Sequence, residues 1–202
     1  MTDESTKQPT SAAPPPPVGQ IFVRVQPTPN PNALKFVVNV NVKNDGKATF
    51  SRPSEALGIR LAEDLFALPE VRQLHFFENV VTVTYADDAD VDTLRLEVTA
   101  VLQSRLPVHD PAFTVEEDRK KIDRSNLPPD LQKIEEILDQ TVRMYLQGDG
   151  GDIEVVSLKG HGLEVRYQGA CGTCPSSTSA TLDAIQGILR EQFDPELEVI
   201  PV

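Results

Sequence analysis

The sequence has few cysteines and histidines and no apolar segment long enough to cross a membrane. It contains no tryptophan, 5% aromatic residues, two cysteines and three histidines in 202 positions. A structural zinc site wants four ligands, and two thiols supply only half of one. Apolar runs such as "KFVVNVNV" are far too short for a bilayer. With 39% hydrophobic and 25% charged residues, the composition favours a soluble protein with a real core.

Positive charge is also scarce. The chain has 19 basic and 31 acidic side chains, which gives a formal net charge of −12. A surface this acidic repels phosphate backbones and anionic lipids. We therefore expect neither nucleic acid nor membrane as a main partner.

The N-terminal segment, residues 1–20, lacks both the apolar stretch of a secretory signal and the arginines of a transit peptide. Four consecutive prolines at 14–17 favour an extended conformation, so we expect a disordered, proline-rich tail. Without an export signal the prediction is a cytoplasmic protein. In a reducing compartment a permanent disulfide is unusual, which favours a metal-binding or catalytic role for paired thiols.

Two mixed modules follow the tail, and together they predict an α+β fold. Residues 21–107 alternate strand-like and helical patterns in the order ββαββα. Residues 108–129 carry mixed charges and prolines, as in a flexible linker. Residues 130–202 predict the order αββαβ, with a hairpin turning at Gly160–Gly162 and a helix from about Pro175 to Phe193.

Both cysteines lie where the second hairpin gives way to this helix, in "GACGTCPSS". Pro175 suits a first helical position, and the positive end of the helix favours a thiolate at Cys174. Glycines at 169 and 172 allow a tight bend beside a bulky ligand. The pair could be a structural pair of reduced thiols, a dithiol–disulfide redox site, half of a zinc site, or half of an iron–sulfur cluster site. A cluster takes four thiolates, which a two-fold dimer supplies as two plus two.

The stretches "IEEILDQTVRMYLQGDGGDIEVV" and "GACGTCPSSTSATL" resemble the C-terminal domain of the NifU-like (Nfu) iron–sulfur proteins. "QPTPNPNALKF" and "FFENVVTVTY" resemble the Nfu N-terminal domain. The resemblance implies that Cys171 and Cys174 ligate a [4Fe–4S] cluster bridging two subunits. It also implies a cluster-dependent homodimer that receives its cluster from an upstream assembly scaffold and delivers it to apo-proteins. A thiol–disulfide oxidoreductase using the same cysteines is the alternative.

Other conspicuous residues have ordinary interpretations. "GDGGD" lacks the lysine and the hydroxyl residue of a phosphate-binding loop. We therefore expect a turn that ends a helix. Weak calcium binding by Asp149 and Asp152 is the lesser alternative. Because His161 lies at a hairpin tip, we expect its side chain to be solvated. His75 lies within a strand pattern, so we expect a packed or half-exposed side chain. "TPNPN" predicts a rigid loop between two strands, with a partner-binding surface as the alternative. No arrangement of catalytic residues is recognisable, so we expect no enzyme.

Overall fold

The computed structural model describes residues 19–115, 127–170 and 175–202, with the side chains described from residue 181 in the last range. Most of the predicted tail, part of the predicted linker (116–126) and the segment 171–174 lie outside the described residues. Within the described part of the chain, no helix is both long and apolar enough to cross a membrane.

The first unit, residues 19–115, is built on a five-stranded antiparallel sheet with strand order β1-β2-β5-β4-β3. The strands are β1 (Val23–Pro27), β2 (Ala33–Val38), β3 (Lys47–Phe50), β4 (Val71–Phe77) and β5 (Val80–Tyr85). The stretch "KNDGKATF" is polar and predicts a turn, yet its second half forms β3. Its alternate residues Ala48 and Phe50 are nevertheless buried, and four residues are too few for that alternation to stand out.

Two helices, α1 (Arg60–Phe66) and α2 (Val91–Arg105), cover one face of this sheet. Asp90 caps α2 by accepting hydrogen bonds from the backbone of Asp92 and Thr93. The helical spacing of leucines after Ser54, in "EALGIRLAEDLFALPE", predicts one continuous helix. The structure instead has a short 3-10 turn at Pro53–Ala56 and a left-handed Gly58 (φ 87°), which leaves Leu57 74% exposed. Glycine adopts that conformation without strain, so the helix begins after it.

The first unit extends beyond the boundary at residue 107 that the sequence indicated. Phe113 and Val115 pack against the first core, and the ring of Phe113 meets that of Phe76 edge to face. The Lys43 ammonium donates a hydrogen bond to the Phe113 carbonyl at 2.9 Å. Residues 109–115 therefore belong structurally to the first unit.

The second unit, residues 127–202, contains α3 (Pro129–Thr141), α4 (Arg143–Gly148), β6 (Gly151–Lys159), β7 (Gly162–Gly169), α5 (Pro175–Gln192) and β8 (Glu198–Pro201). Strands β6 and β7 form an antiparallel hairpin, and β8 pairs with β7 in parallel. The predicted α+β class is confirmed, as is the order αββαβ except that its first helix is divided.

The division of that helix lies at Val142, between α3 and α4. Helical spacing from Asp130 onward predicts that Tyr145 lies on the buried face of one continuous helix, but its side chain is 71% exposed. After the break Leu146 turns inward instead, and it packs with Ile134, Leu138 and Ile153 in the second core.

Candidate functional site

The cysteine segment connects the end of β7 to the start of α5. Strand β7 ends at Gly169, Ala170 follows as a buried residue, and α5 begins at Pro175 as predicted. Cys171 and Cys174 lie in 171–174, outside the described residues. Their assignment as ligands stays a prediction. The structure does describe the residues that immediately precede and support their segment.

Gly150, Gly169 and Ala170 form what we call the base of the cysteine segment, where two glycine-containing turns approach each other closely. Gly150 ends α4 with φ 80°, and Gly169 ends β7 with φ 64°. Gly151 pairs with Gly169 across the hairpin, and the Ala170 amide donates to the Gly150 carbonyl at 3.1 Å. A Cβ atom on Gly169 would lie 2.5 Å from that carbonyl oxygen. The "GDGG" turn therefore ends a helix, as predicted, and also holds the residue that precedes Cys171.

The outer face of the first sheet covers this base. Lys35, Thr82, His75 and Thr49 are successive cross-strand partners on β2, β5, β4 and β3. They form a row on one face of the sheet, which we call the polar row. The Lys35 ammonium donates to the Gly148 carbonyl, and Cβ atoms on Gly150 and Gly169 would meet Thr82 and His75 at 2.6 and 3.1 Å. The two units are therefore in direct contact beside the cysteine segment.

A buried ion-pair network joins the units next to the polar row. The Asp152 carboxylate, with 4% of its side chain exposed, lies 2.9 Å from the Lys47 ammonium of the first unit. It also lies 3.7 Å from the Arg143 guanidinium, which pairs with Glu135 at 2.7 Å and with Asp139. Hydrogen bonds and ion pairs to these carboxylates outweigh burial and raise the pKa of Arg143. Asp152, which the sequence linked to weak calcium binding as a lesser alternative, is held in these ion pairs.

His75 is neutral at the centre of this interface. Its side chain is 2% exposed, and burial together with the Lys47 charge lowers its pKa to about 4, although Asp152 acts in the opposite direction. Its Nδ1 lies 3.0 Å from the Thr49 hydroxyl. Desolvation is the larger effect because a cationic ring here would lose its water. The sequence predicted a packed or half-exposed histidine, and the packed form is observed.

The loop "TPNPN" also reaches the base of the cysteine segment. The Asn30 side-chain amide donates a hydrogen bond to the Ala170 carbonyl at 2.8 Å. Sequence reasoning missed Asn30, Lys47 and the polar row as parts of this site. The available signal was a strand face bearing threonine, lysine and histidine, which is equally typical of a solvated face.

His161 lies away from this region, at the tip of the β6–β7 hairpin. Its ring is exposed and lies 2.7 Å from the Asp194 carboxylate and 3.3 Å from Glu196. The hydrogen bond and charge of Asp194 raise its pKa. Among the described residues, no group of three or more His, Cys, Asp or Glu side chains is placed to hold a metal ion.

Comparisons with known proteins confirm the predicted resemblance in both halves of the chain. The N-terminal domain of the scaffold protein Nfu/NifU matches residues 23–108, and the NifU-like domain matches residues 134–200. The mitochondrial NFU1 iron-sulfur cluster scaffold homolog of Drosophila persimilis is 32% identical over 189 residues, covering 89% of this chain and 64% of that protein. The Homo sapiens homolog is 30% identical, covering 90% of this chain and 72% of that protein. The chain thus spans less than two thirds of the fly relative.

A solved structure also resembles the chain. The solution structure of a NifU-like protein from Saccharomyces cerevisiae matches with a TM-score of 0.41 and 19% identity, covering 48% of this chain and 87% of that one. This likeness is too distant to add to the fold described above.

The prediction of a cytoplasmic location is wrong. The fly and human relatives are both named as mitochondrial proteins. The prediction depended on the composition of residues 1–20 alone, which lacks the usual transit-peptide pattern but does not by itself determine the compartment. A reducing cytoplasm therefore no longer supports metal binding by the two thiols. That interpretation depends on the number of thiol ligands and on the family resemblance.

Proposed function

Because the chain belongs to the NifU-like (Nfu) family, we propose that it carries a [4Fe–4S] cluster as cargo between two copies of itself. Cys171 and Cys174 of each copy supply the ligands. The cluster comes from an upstream assembly scaffold and is passed on to apo-proteins. The family relatives are named as iron–sulfur cluster scaffolds, and the proposal assigns no catalysed reaction to this chain.

One observation carries the proposal: the only two cysteines of the chain, with two residues between them, lie in the part of the chain that the NifU-like domain matches. Iron–sulfur clusters of this type are held by four thiolates, so one copy is two ligands short. A two-fold dimer presents the same segment twice and completes the set. Metal–thiolate bonds then link the copies directly, and we expect dimerisation to depend on the cluster.

The surroundings of the segment also suit a carrier. The base formed by Gly150, Gly169 and Ala170 fixes where the segment leaves β7, while α5 fixes where it ends. Delivery proceeds by attack of incoming thiolates on the cluster, so the site must be reachable from outside. Because the cysteine segment is short and joins two fixed elements, its thiolates can exchange ligands without a rearrangement of the rest of the domain.

The test is cysteine replacement under anaerobic reconstitution. The Cys171→Ala and Cys174→Ala variants should each lose bound iron and acid-labile sulfide and sediment as monomers, because a dimer would then offer two thiolates in place of four. Ser104→Ala, which changes an exposed residue of α2, is the matched control and should behave as wild type. Either cysteine variant retaining full iron and sulfide would contradict the bridged site.

The same preparations separate the carrier from the thiol oxidoreductase. Wild-type protein should be brown and should restore activity to an apo-[4Fe–4S] enzyme, whereas the cysteine variants should not. Colourless wild-type protein that reduces insulin disulfides would instead favour the oxidoreductase. A cluster that resists both chelator and acceptor for hours would indicate a fixed electron-transfer centre.

A further inference from the structure

The loop between β1 and β2 is held rigidly by its own residues. Prolines at 27, 29 and 31 restrict its backbone, because the pyrrolidine ring fixes φ. The Thr28 hydroxyl donates to the carbonyls of Asn30 and Ala33, at 2.9 and 3.1 Å. The Tyr85 hydroxyl donates to the Pro31 carbonyl at 2.7 Å. The loop therefore holds Asn30 in a fixed place.

The Asn30 side chain is oriented as well as placed. Its Oδ1 accepts a hydrogen bond from the Asn32 amide at 2.9 Å, which forms an Asx turn. With Oδ1 engaged there, the Nδ2 group points to the other unit and donates to the Ala170 carbonyl at 2.8 Å. Asn30 is 2% exposed, so water does not compete for this bond.

Ala170 is held from both units at once. Its amide donates to the Gly150 carbonyl of its own unit, and its carbonyl accepts from Asn30 of the other. Ala170 is 1% exposed, so a carbonyl deprived of Asn30 would lack water as a substitute. The next residue in the chain is Cys171.

We infer that Asn30 is a positioning residue for the cysteine segment: its amide fixes the peptide that leads into Cys171 and so slows the loss of cargo. The part concerning cargo rests on the proposed function. The first unit contains no cysteine, yet through this bond it helps to set where the first thiolate stands.

The test uses full-length protein with two variants at the same position. Asn30→Asp keeps an oxygen for the Asn32 amide, and so keeps the Asx turn, but it replaces the donor with an acceptor facing the Ala170 carbonyl. Asn30→Ala removes the bonds to the Asn32 amide and to the Ala170 carbonyl, and serves as the second variant. Asn44→Ala is the matched control, since Asn44 is exposed and its side chain accepts a hydrogen bond from nearby Asn41.

Two rates are measured for each protein. In apo-protein, the Ala170 amide should exchange about fivefold faster or more in Asn30→Asp, because Ala170 opens more readily once its carbonyl has lost a buried hydrogen bond. In reconstituted protein, chelator should remove the cluster faster by a similar factor. Asn44→Ala should match wild type in both rates.

The outcomes separate this inference from the proposed function. Unchanged Ala170 exchange in Asn30→Asp overturns the inference, as does faster exchange with unchanged cluster loss, which would make the bond merely structural. Wild-type protein that takes up no cluster would refute the proposed function. The exchange measurement would still decide whether Asn30 holds Ala170.

Discussion

Replacing Gly169 with alanine should lower the free energy of unfolding by more than the backbone conformation of this residue alone would cost. Gly169 has φ 64°, a conformation that costs an L-residue about 1–2 kcal/mol. Its Cβ atom would also lie 2.5 Å from the Gly150 carbonyl oxygen, 3.0 Å from the Gly151 Cα and 3.1 Å from the His75 ring. Two of these three neighbours are backbone atoms, which cannot rotate away.

The magnitude follows from adding the two effects. Overpacking a fixed environment typically costs about 1–3 kcal/mol, and here it separates β6 from β7 at the Gly151–Gly169 pair. Together with the backbone cost, we expect Gly169→Ala to lower the free energy of unfolding by about 2–5 kcal/mol. Retention of the cluster should fall too, because the Ala170 amide would lose its bond to Gly150.

Gly160→Ala is the matched control, at the other end of the same hairpin. Gly160 has φ 60°, yet a Cβ atom there would meet nothing within 4 Å, so only the backbone cost of about 1–2 kcal/mol applies. Urea unfolding of both variants, extrapolated linearly to water, gives the comparison. Equal destabilisation of the two variants would refute the close approach of the two glycine turns.

Two further predictions concern the interface between the units. Protonation of His75 should weaken the folded state: its pKa is about 4 folded against 6.5 unfolded, so the unfolded chain binds the proton more readily. The His75 contribution therefore vanishes well above pH 6.5 and becomes destabilising as the pH falls from there towards 4, by at most about 1.4 kcal/mol per pH unit. Urea unfolding of wild type and His75→Gln at pH 7, 6 and 5 should diverge, and parallel profiles would contradict the assignment. Asp152→Asn leaves Lys47 without that partner, whereas Arg143 keeps two carboxylates, so we expect a loss of about 1–3 kcal/mol in urea unfolding. The exposed Asp88→Asn is the control, and an equal effect in both would show that the network contributes nothing.

Much of the fold could be predicted from local signals in the sequence. Pro175 marks the start of α5 because a residue without an amide hydrogen fits a first helical turn. The glycines around His161 mark the hairpin between β6 and β7. The inward residues Ile185 and Leu189 follow from helical spacing, and both are buried. In each case the determining interaction lies within a few residues of the signal.

The interface between the units could not be predicted in the same way. Alternation along β4 and β5 identifies the face that packs on the helices, but it does not tell what covers the other face. Local alternation therefore leaves the exposure of Thr82 open and predicts a packed or half-exposed His75, whereas they are 1% and 2% exposed. The contact that buries them comes from residues 148–169, far along the chain, and no local pattern records it.

That long-range contact brings together segments that resemble the Nfu family but lie far apart in the sequence. Asn30 from "QPTPNPNALKF", Gly150 from "GDGGD" and Ala170 from "GAC" meet at one peptide, through hydrogen bonds of 2.8 and 3.1 Å. Thr82, from "FFENVVTVTY", packs against the same glycine turn. Each segment looks like a separate loop or strand when read locally. In the fold, all of these segments contain or contact Ala170, the residue before Cys171, or the glycine turn that holds it. Selection for one cysteine segment would therefore constrain residues in both units.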